Sequence, residues 1–115
     1  MTPVFPYDPL QHYTWGGQCD GWTLVETETL SVKREKMPAG SSECLHYHEK
    51  SQQFFYILSG TATLQVEAGE LMLTAGQGIH ITPGKKHRIS NGAKEDLEFI
   101  LSSGPSTKND RINVE

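Results

Sequence analysis

The 115-residue sequence contains no long hydrophobic run, since its longest apolar stretch is Phe54-Phe55-Tyr56-Ile57-Leu58. A membrane-spanning helix needs roughly 20 consecutive apolar residues, so this pattern excludes such a helix. The first residues, Met1 to Pro9, have neither the basic flank nor the apolar core of a secretory signal. We therefore expect a cytoplasmic protein that does not interact with a membrane.

The sequence also has few cysteines and no excess of positive charge. Cys19 and Cys44 are the only cysteines, and their spacing matches no paired-cysteine zinc motif, so we expect free thiols rather than a disulfide framework. Ten Lys and Arg residues stand against fourteen Asp and Glu residues, which gives a net charge of −4. A protein that binds nucleic acid independently of sequence needs a basic face, so this balance argues against that class.

The pattern that is present has a period of two residues and is interrupted by turn residues at short intervals. No segment shows the periodicity of an amphipathic helix, and the alternation predicts an all-β domain. Such a sheet hides its edges by closing or stacking, and a small double-sheet roll leaves an interior wide enough for one small ligand. The predicted strands are 22–27, 30–37, 44–49, 53–59, 61–67, 70–74, 78–82, 86–91 and 96–102.

The chain divides into an N-terminal arm and a single barrel domain. Residues 1–18 are rich in proline, glycine and aromatic residues, which favours an extended arm that packs on the barrel or on a partner subunit. Residues 19–115 form the barrel, because one hydrophobic core of this size accounts for the whole remaining length.

Strand parity selects three of the five histidines as residues that face the interior. His46 and His48 are two residues apart in a predicted strand, so their side chains share a face at roughly 6.5–7 Å. Gln53 begins the next strand in phase with its apolar residues, and His87 is predicted to face inward from a later strand. A His-X-His pair alone is equally compatible with two polar residues at a strand edge. The remaining histidines are predicted to face outward or to lie in the arm: His80 and His12.

The glycines around these residues make the interpretation more specific. Residues 40–60 resemble the first motif of the cupin superfamily. In this segment, gaps of five, one, four and six residues separate Gly40, His46, His48, Gln53 and Gly60. The second motif of that superfamily resembles residues 76–91, where Gly76, Thr82-Pro83-Gly84, His87 and Asn91 recur at matching spacings. Two positions depart from the family pattern, because the family usually has Glu where Gln53 stands and Pro where Thr82 stands.

The resemblance implies a fold and a metal site. The expected fold is a single-domain jelly-roll, or double-stranded β-helix, barrel that holds one divalent metal ion at His46, His48, Gln53 and His87. By ligand type the ion is Zn, Ni, Fe or Mn. Gln53 is neutral, so a metal ion there keeps its full positive charge and acts as a stronger Lewis acid. Alternatively, Gln53 bonds to a metal-bound water or has a structural role.

The same quartet is similar to that of small cupins that open the ring of unsaturated uronic-acid monosaccharides. This resemblance implies a small-molecule ligand and metal-assisted isomerisation or ring opening of an oxygen-rich metabolite. The alternatives are a non-haem iron dioxygenase and a non-catalytic cupin that only binds a ligand or metal ion. The sequence identifies no catalytic acid or base, because the candidates Asp96, Asp110 and Arg111 are each more typical of an ordinary surface charge.

Parity also suggests which residues line the pocket. Phe55, Ile89 and Phe99 are predicted to face the interior, and Cys44 shares the parity of His46 and is expected as a small buried side chain. In strand 30–37 either choice of face places charged side chains near one end of the cavity. We expect these charges to lie at a solvated edge; the alternative is a basic side chain that orients an anionic substrate. A β-bulge in this strand would reconcile the two choices of face.

One strand is apolar on both faces. When Phe55 and Ile57 point inward, Phe54 and Tyr56 point outward, and an exposed aromatic patch is typical of an interface. Together with the aromatic arm, this pattern predicts a homodimer.

Overall fold

The computed structural model describes all 115 residues, and its regular secondary structure is almost entirely β-strand. A 3-10 helix at Pro9–Gln11 is its one helical element, so no helix is long and apolar enough to cross a membrane. The eleven strands are β1 (His12–Trp15), β2 (Cys19–Glu26), β3 (Ser31–Met37), β4 (His46–Tyr47), β5 (Gln52–Ser59), β6 (Thr61–Val66), β7 (Gly69–Thr74), β8 (Gly78–Ile81), β9 (Arg88–Ser90), β10 (Leu97–Gly104) and β11 (Ile112–Asn113).

The strands form two facing layers, as the jelly-roll prediction requires. One layer is a six-stranded sheet in the order β1-β2-β3-β10-β5-β8. The other combines the sheet β7-β6-β9 with the pair β4-β11, and these two parts are joined by antiparallel bridges at Ser42–Ser90 and His46–His87. All strand pairs are antiparallel.

The alternation along β5 and β6 builds the core between the layers. In β5 the side chains of Gln53, Phe55 and Ile57 are buried, whereas Phe54 and Tyr56 are exposed on the outer face. Because successive side chains in a strand point to opposite faces, the period-two pattern of the sequence is sufficient to fix this orientation. The largest side chains that are completely shielded from solvent include those of Phe99, Met37, Ile57 and Leu64.

A tight turn at Gly60 joins β5 to β6. Gly60 has a φ of +84°, which side chains of L-residues rarely adopt, and a Cβ atom there would lie 2.4 Å from the carbonyl oxygen of Asp96. Glycine is therefore required at this position both by its backbone conformation and by the close approach of the neighbouring chain.

The N-terminal arm packs against its own barrel and contributes a strand that the sequence did not predict. β1 pairs with β2 at the edge of the large sheet. Upstream of it, the Tyr7 ring lies 4.8 Å from the Arg34 guanidinium, and its hydroxyl donates a hydrogen bond of 2.8 Å to Glu98. Tyr7 thus lies against the outer face of β3 and β10, whereas Trp15, further along the arm, packs on the buried ring of Phe99.

The strand at 44–49 is much shorter than predicted, because only His46–Tyr47 has strand geometry. The short strand is held on one side by the C-terminal strand β11, in which Ile112 pairs with Tyr47 and Asn113 with His46. The sequence contains no clear alternation in this tail and therefore does not predict β11.

Candidate metal centre

Three histidines meet where β4 is bridged to the segment that leads into β9. His46 and His87 exchange two backbone hydrogen bonds, of 3.1 and 2.9 Å, which places their side chains next to each other. The ring centroid of His46 lies 4.4 Å from that of His87 and 5.0 Å from that of His48. One ring nitrogen from each of the three histidines lies within 4.8 Å of the others, which is a spacing suited to one metal ion.

Backbone carbonyl groups fix the orientation of all three rings. The Nδ1 atoms of His46, His48 and His87 lie 2.9, 2.5 and 2.9 Å from the carbonyl oxygens of Cys44, Asp110 and Lys85, respectively. A carbonyl oxygen can only accept, so each Nδ1 carries the proton and donates the hydrogen bond. Each Nε2 therefore keeps its lone pair, the arrangement in which a neutral imidazole binds a metal ion.

Burial keeps these imidazoles neutral. Desolvation is the main cause that lowers the pKa of His46 to about 3 and the pKa of His87 to about 4, with a smaller contribution from the neighbouring ligand rings. The pKa of His48 is lowered for the same reason. Because a ligating histidine must be deprotonated, the site is ready to bind a metal ion at neutral pH without first losing protons.

Two features show that the donor set fits a cation. The Nε2 atom of His48 is buried without a hydrogen-bond partner, which costs free energy unless another group satisfies its lone pair. The Oε1 atom of Gln53 lies 3.0 Å from Nε2 of His87, so two lone pairs face each other. Gln53 is held in this orientation because its amide nitrogen donates to Ser103 Oγ at 3.1 Å. Three imidazole nitrogens and one amide oxygen suit a divalent transition metal.

The C-terminal segment holds the third imidazole in place through Asp110. Its carboxylate accepts hydrogen bonds of 2.9, 3.1 and 2.9 Å from the backbone amides of Glu49, Lys50 and Ser51, while its carbonyl oxygen accepts from His48. Partial burial opposes ionisation, but the three amide bonds together lower the pKa of Asp110. Asp110 therefore anchors the turn after β4 rather than presenting a free acid to the cavity.

A cavity of about 410 Å³ lies beside the histidines. His46, His48 and Gln53 lie in its wall together with Phe55 and Ile89. Phe99 is completely buried but belongs to the core behind the cavity, where it packs on Phe55 with ring centroids 5.6 Å apart. The prediction that Phe99 lines the pocket is therefore wrong.

The prediction for Cys44 is also wrong, because this side chain is exposed and does not line the cavity. Residues 43–45 precede β4 and have no strand geometry, so the alternation of side chains does not extend back to them. Glu43 faces the cavity instead, where its carboxylate accepts from the Ile89 amide at 3.1 Å and lies 3.4 Å from the Arg111 guanidinium. Burial raises the pKa of Glu43 to about 7.

The charges of β3 are not at a solvated edge. β3 lies between β2 and β10, and Lys33 and Glu35 point into the cavity while Arg34 faces outward and pairs with Glu98. The irregularity that adjusts the register is in β2, between Thr23 and Val25. The sequence leaves this choice of face open, because both faces of the strand carry charged residues.

The remaining candidates are also placed by the structure. His80 is exposed on the outer face of β8 and interacts with Gln52, in agreement with its predicted orientation. Asp96 is a surface residue 3.5 Å from Lys36. Arg111 lies in the cavity wall, although its sequence context is that of a typical surface charge.

Comparisons with known proteins agree with this geometry. The family model of the cupin domain matches residues 33–103. The oxalate-binding protein of Thermotoga maritima is 36% identical over 89 residues, which cover 73% of this chain and 74% of that protein. Several other curated relatives are much longer, and the chain spans only about a fifth of their length.

Two solved structures share the fold at low sequence identity. An uncharacterized conserved protein with a double-stranded beta-helix domain from Klebsiella pneumoniae superposes with a TM-score of 0.82 and 21% identity, covering 100% of this chain and 99% of that one. KdgF from Halomonas sp. superposes with a TM-score of 0.78 and 17% identity, covering 85% and 88%. With the matched family model and the clustered histidines of both motifs, these findings show that the chain belongs to the cupin domain family.

Proposed function

We propose that this cupin binds one divalent metal ion through His46, His48, His87 and Gln53 and catalyses the ring opening of an unsaturated uronic-acid monosaccharide. The observation that carries the proposal is the convergence of four uncharged donors on one point beside the cavity. This quartet is similar to that of the small cupins that catalyse this reaction. A bound divalent ion would supply Lewis-acid polarisation of the sugar oxygens, and no protein carboxylate in the donor set weakens it.

The cavity wall offers groups that suit an acidic sugar. Lys33 and Arg111 lie in the wall and provide positive charge for the sugar carboxylate, and hydrogen bonds between charged partners are stronger than neutral ones. Phe55 and Ile89 provide an apolar surface for the sugar ring. The cavity volume of about 410 Å³ falls within the range typical of small-molecule sites.

A second function is favoured by one comparison. The Thermotoga maritima relative, at 36% identity, is an oxalate-binding protein. The same cations would attract a small dicarboxylate, so this cupin would then bind oxalate without converting it.

The experiment starts with elemental analysis of the purified protein. Metal-depleted protein is then reloaded separately with zinc, nickel, iron(II) and manganese, and the consumption of unsaturated galacturonate is followed by its ultraviolet absorbance. We expect turnover with at least one metal and a linear keto product by NMR. His87→Ala should lose both metal and activity. His80→Ala, which removes an exposed histidine of the outer face, should keep both.

The result that contradicts ring opening is the absence of turnover with every metal. Oxalate titrations by calorimetry then test the binding function. Oxygen uptake by the iron(II)-loaded protein in the presence of the sugar would instead indicate a dioxygenase.

A further inference from the structure

A second polar group lies in the cavity wall in the opposite sheet layer from the histidines. Tyr13 of β1, Gly21 of β2 and Glu35 of β3 are directly aligned across three adjacent strands, because Tyr13 pairs with Gly21 and Gly21 pairs with Glu35. The Tyr13 hydroxyl donates a hydrogen bond of 2.5 Å to Oε2 of Glu35. Tyr13 and Glu35 both line the cavity whose wall includes His46 and His48.

The glycine between them makes this contact possible. A Cβ atom on Gly21 would lie 2.2 Å from the Tyr13 ring, so any side chain there would displace the ring. Tyr13 can therefore lie flat over β2 and reach Glu35 two strands away only because position 21 has no side chain. The three aligned residues thus act together, because Gly21 leaves the space in which Tyr13 reaches and orients Glu35.

Glu35 still has an oxygen free for a ligand. Only 7% of the residue is exposed, yet Oε1 accepts no hydrogen bond from the protein. Among the side-chain polar atoms that lack a hydrogen-bond partner, only Nε2 of His48 is fully buried. Oε1 of Glu35 is therefore accessible, and Glu35 lies in the cavity wall. A buried carboxyl group with one oxygen fixed and the other directed at a cavity is well placed to exchange a proton with a bound molecule.

We propose that Glu35 is the proton-transfer residue of this cupin and that Tyr13 is its positioning residue. This role rests on the proposed ring-opening function. Glu35 removes the proton of the anomeric hydroxyl, and the electron pair of that O–H bond forms the aldehyde carbonyl as the bond from the anomeric carbon to the ring oxygen breaks. The ring oxygen becomes a ketone oxygen while the carbon–carbon double bond takes the proton back from Glu35. The reaction is an isomerisation and needs no co-reactant.

The electrostatic environment of Glu35 supports this role. Burial is the main cause that raises the pKa of Glu35 to about 7, and the hydrogen bond from Tyr13 and the positive charges of Lys33 and Arg111 oppose the increase. Glu26 and Glu43 are the other acids in the wall of this cavity. A group with a pKa near the working pH can both accept and return a proton within one turnover.

The decisive variant is Glu35→Gln in the metal-loaded protein, with unsaturated galacturonate as the probe. Glutamine has the same shape and still accepts the hydrogen bond from Tyr13, but it cannot carry the proton. We expect kcat to fall by about 10²–10⁴-fold, while metal content and the circular dichroism spectrum stay those of the wild type. Glu70→Gln, at an exposed position of β7, is the matched control and should keep full activity.

A second variant separates positioning from structure. Tyr13→Phe removes only the hydroxyl, and because that hydrogen bond lowers the pKa of Glu35, its loss should move the acidic limb of the pH–kcat profile to higher pH. In heavy water, the wild type should place deuterium on one face of the new methylene carbon, whereas the residual reaction with Glu35→Gln should label both faces.

Each outcome decides the proposal. Turnover by Glu35→Gln within about threefold of the wild type would show that Glu35 does not transfer the proton, and ring opening itself would stand. If Glu35→Gln does not fold, an unshifted acidic limb in Tyr13→Phe overturns the proposal. A wild-type protein that turns over no sugar with any metal overturns the proposed function and this role with it.

Discussion

Replacement of Asp110 by alanine tests how the fold orients a metal ligand from a distance. The Asp110 carboxylate accepts three backbone amide hydrogen bonds from the turn 49–51, and its own carbonyl oxygen holds His48 Nδ1 at 2.5 Å. Alanine keeps the carbonyl group but removes the three bonds that fix its position. We therefore expect His48 to lose its orientation without losing its imidazole.

The magnitude follows from these contacts. Hydrogen bonds to a charged group contribute more to stability than neutral ones, but Asp110 is partly exposed, so water competes with the backbone amides for its carboxylate. We therefore expect Asp110→Ala to reduce the free energy of unfolding by about 1–2 kcal/mol. Groups that orient a ligating histidine typically change metal affinity by about 10–100-fold when removed. That range corresponds to about 1.4–2.7 kcal/mol of binding free energy.

The assay is competitive metal titration with a chromophoric chelator, combined with urea unfolding of the metal-free protein. Asp96→Ala is the matched control, because Asp96 is a surface aspartate with a single ion pair to Lys36, and it should leave the metal Kd unchanged. Asp110→Asn keeps one oxygen acceptor and should fall between the wild type and the alanine variant. A metal Kd for Asp110→Ala equal to that of the wild type would refute the argument that the C-terminal segment orients His48.

Three further predictions follow from the core, the site and the surface. Phe99→Ala should reduce the free energy of unfolding, measured by urea titration, by about 3–5 kcal/mol. The control Phe54→Ala, at a side chain that is 44% exposed, should reduce it far less. Equal losses for the two variants would contradict the assignment of the core. Burial lowers the pKa of His46 to about 3 and the pKa of His87 to about 4, so both rings stay neutral in the folded protein. In the unfolded chain each ring has the ordinary histidine pKa. The folded state is therefore not destabilised by these groups above that ordinary pKa, and it loses stability as the pH falls from there towards the lowered pKa values. Metal retention in equilibrium dialysis should therefore persist below about pH 6.5, where free imidazoles would already be protonated, and a loss of metal at that pH would show that the rings are not shielded. The exposed aromatic pair Phe54 and Tyr56 predicts a homodimer, and a mass near 12.8 kDa by light scattering at micromolar concentration would refute it.

Most of the barrel follows from local sequence information. The alternation of apolar residues in β5, β6 and β10 places the buried face correctly because side-chain direction in a strand depends only on parity. The inward orientation of His46, His48 and His87 is predicted by the same rule together with the glycine spacing of the two motifs, although His48 and His87 lie one residue beyond the ends of β4 and β9. Strand parity and motif spacing are therefore sufficient to predict that these three rings cluster.

Elements with weak local signals are missed or misjudged by the same reasoning. β1 lies in a segment dominated by proline, glycine and aromatic residues, and β11 is only two residues long, so neither shows a measurable alternation. Cys44 is placed in the cavity only if the parity of β4 is extended beyond the real end of that strand. Parity carries no information where the backbone is not extended, and Glu43 consequently occupies the interior position.

The sequence alone determined a β-roll with an imidazole cluster, because strand direction and turn positions are encoded within a few residues of each other. Only the tertiary structure decided which charged groups share the cavity with that cluster. Tyr13, Glu35 and Arg111 come from three separate segments, and Asp110 orients His48 from 62 positions along the chain. These contacts depend on the order and register of strands from both ends of the chain, which are set by the closing of the whole barrel rather than by any local pattern.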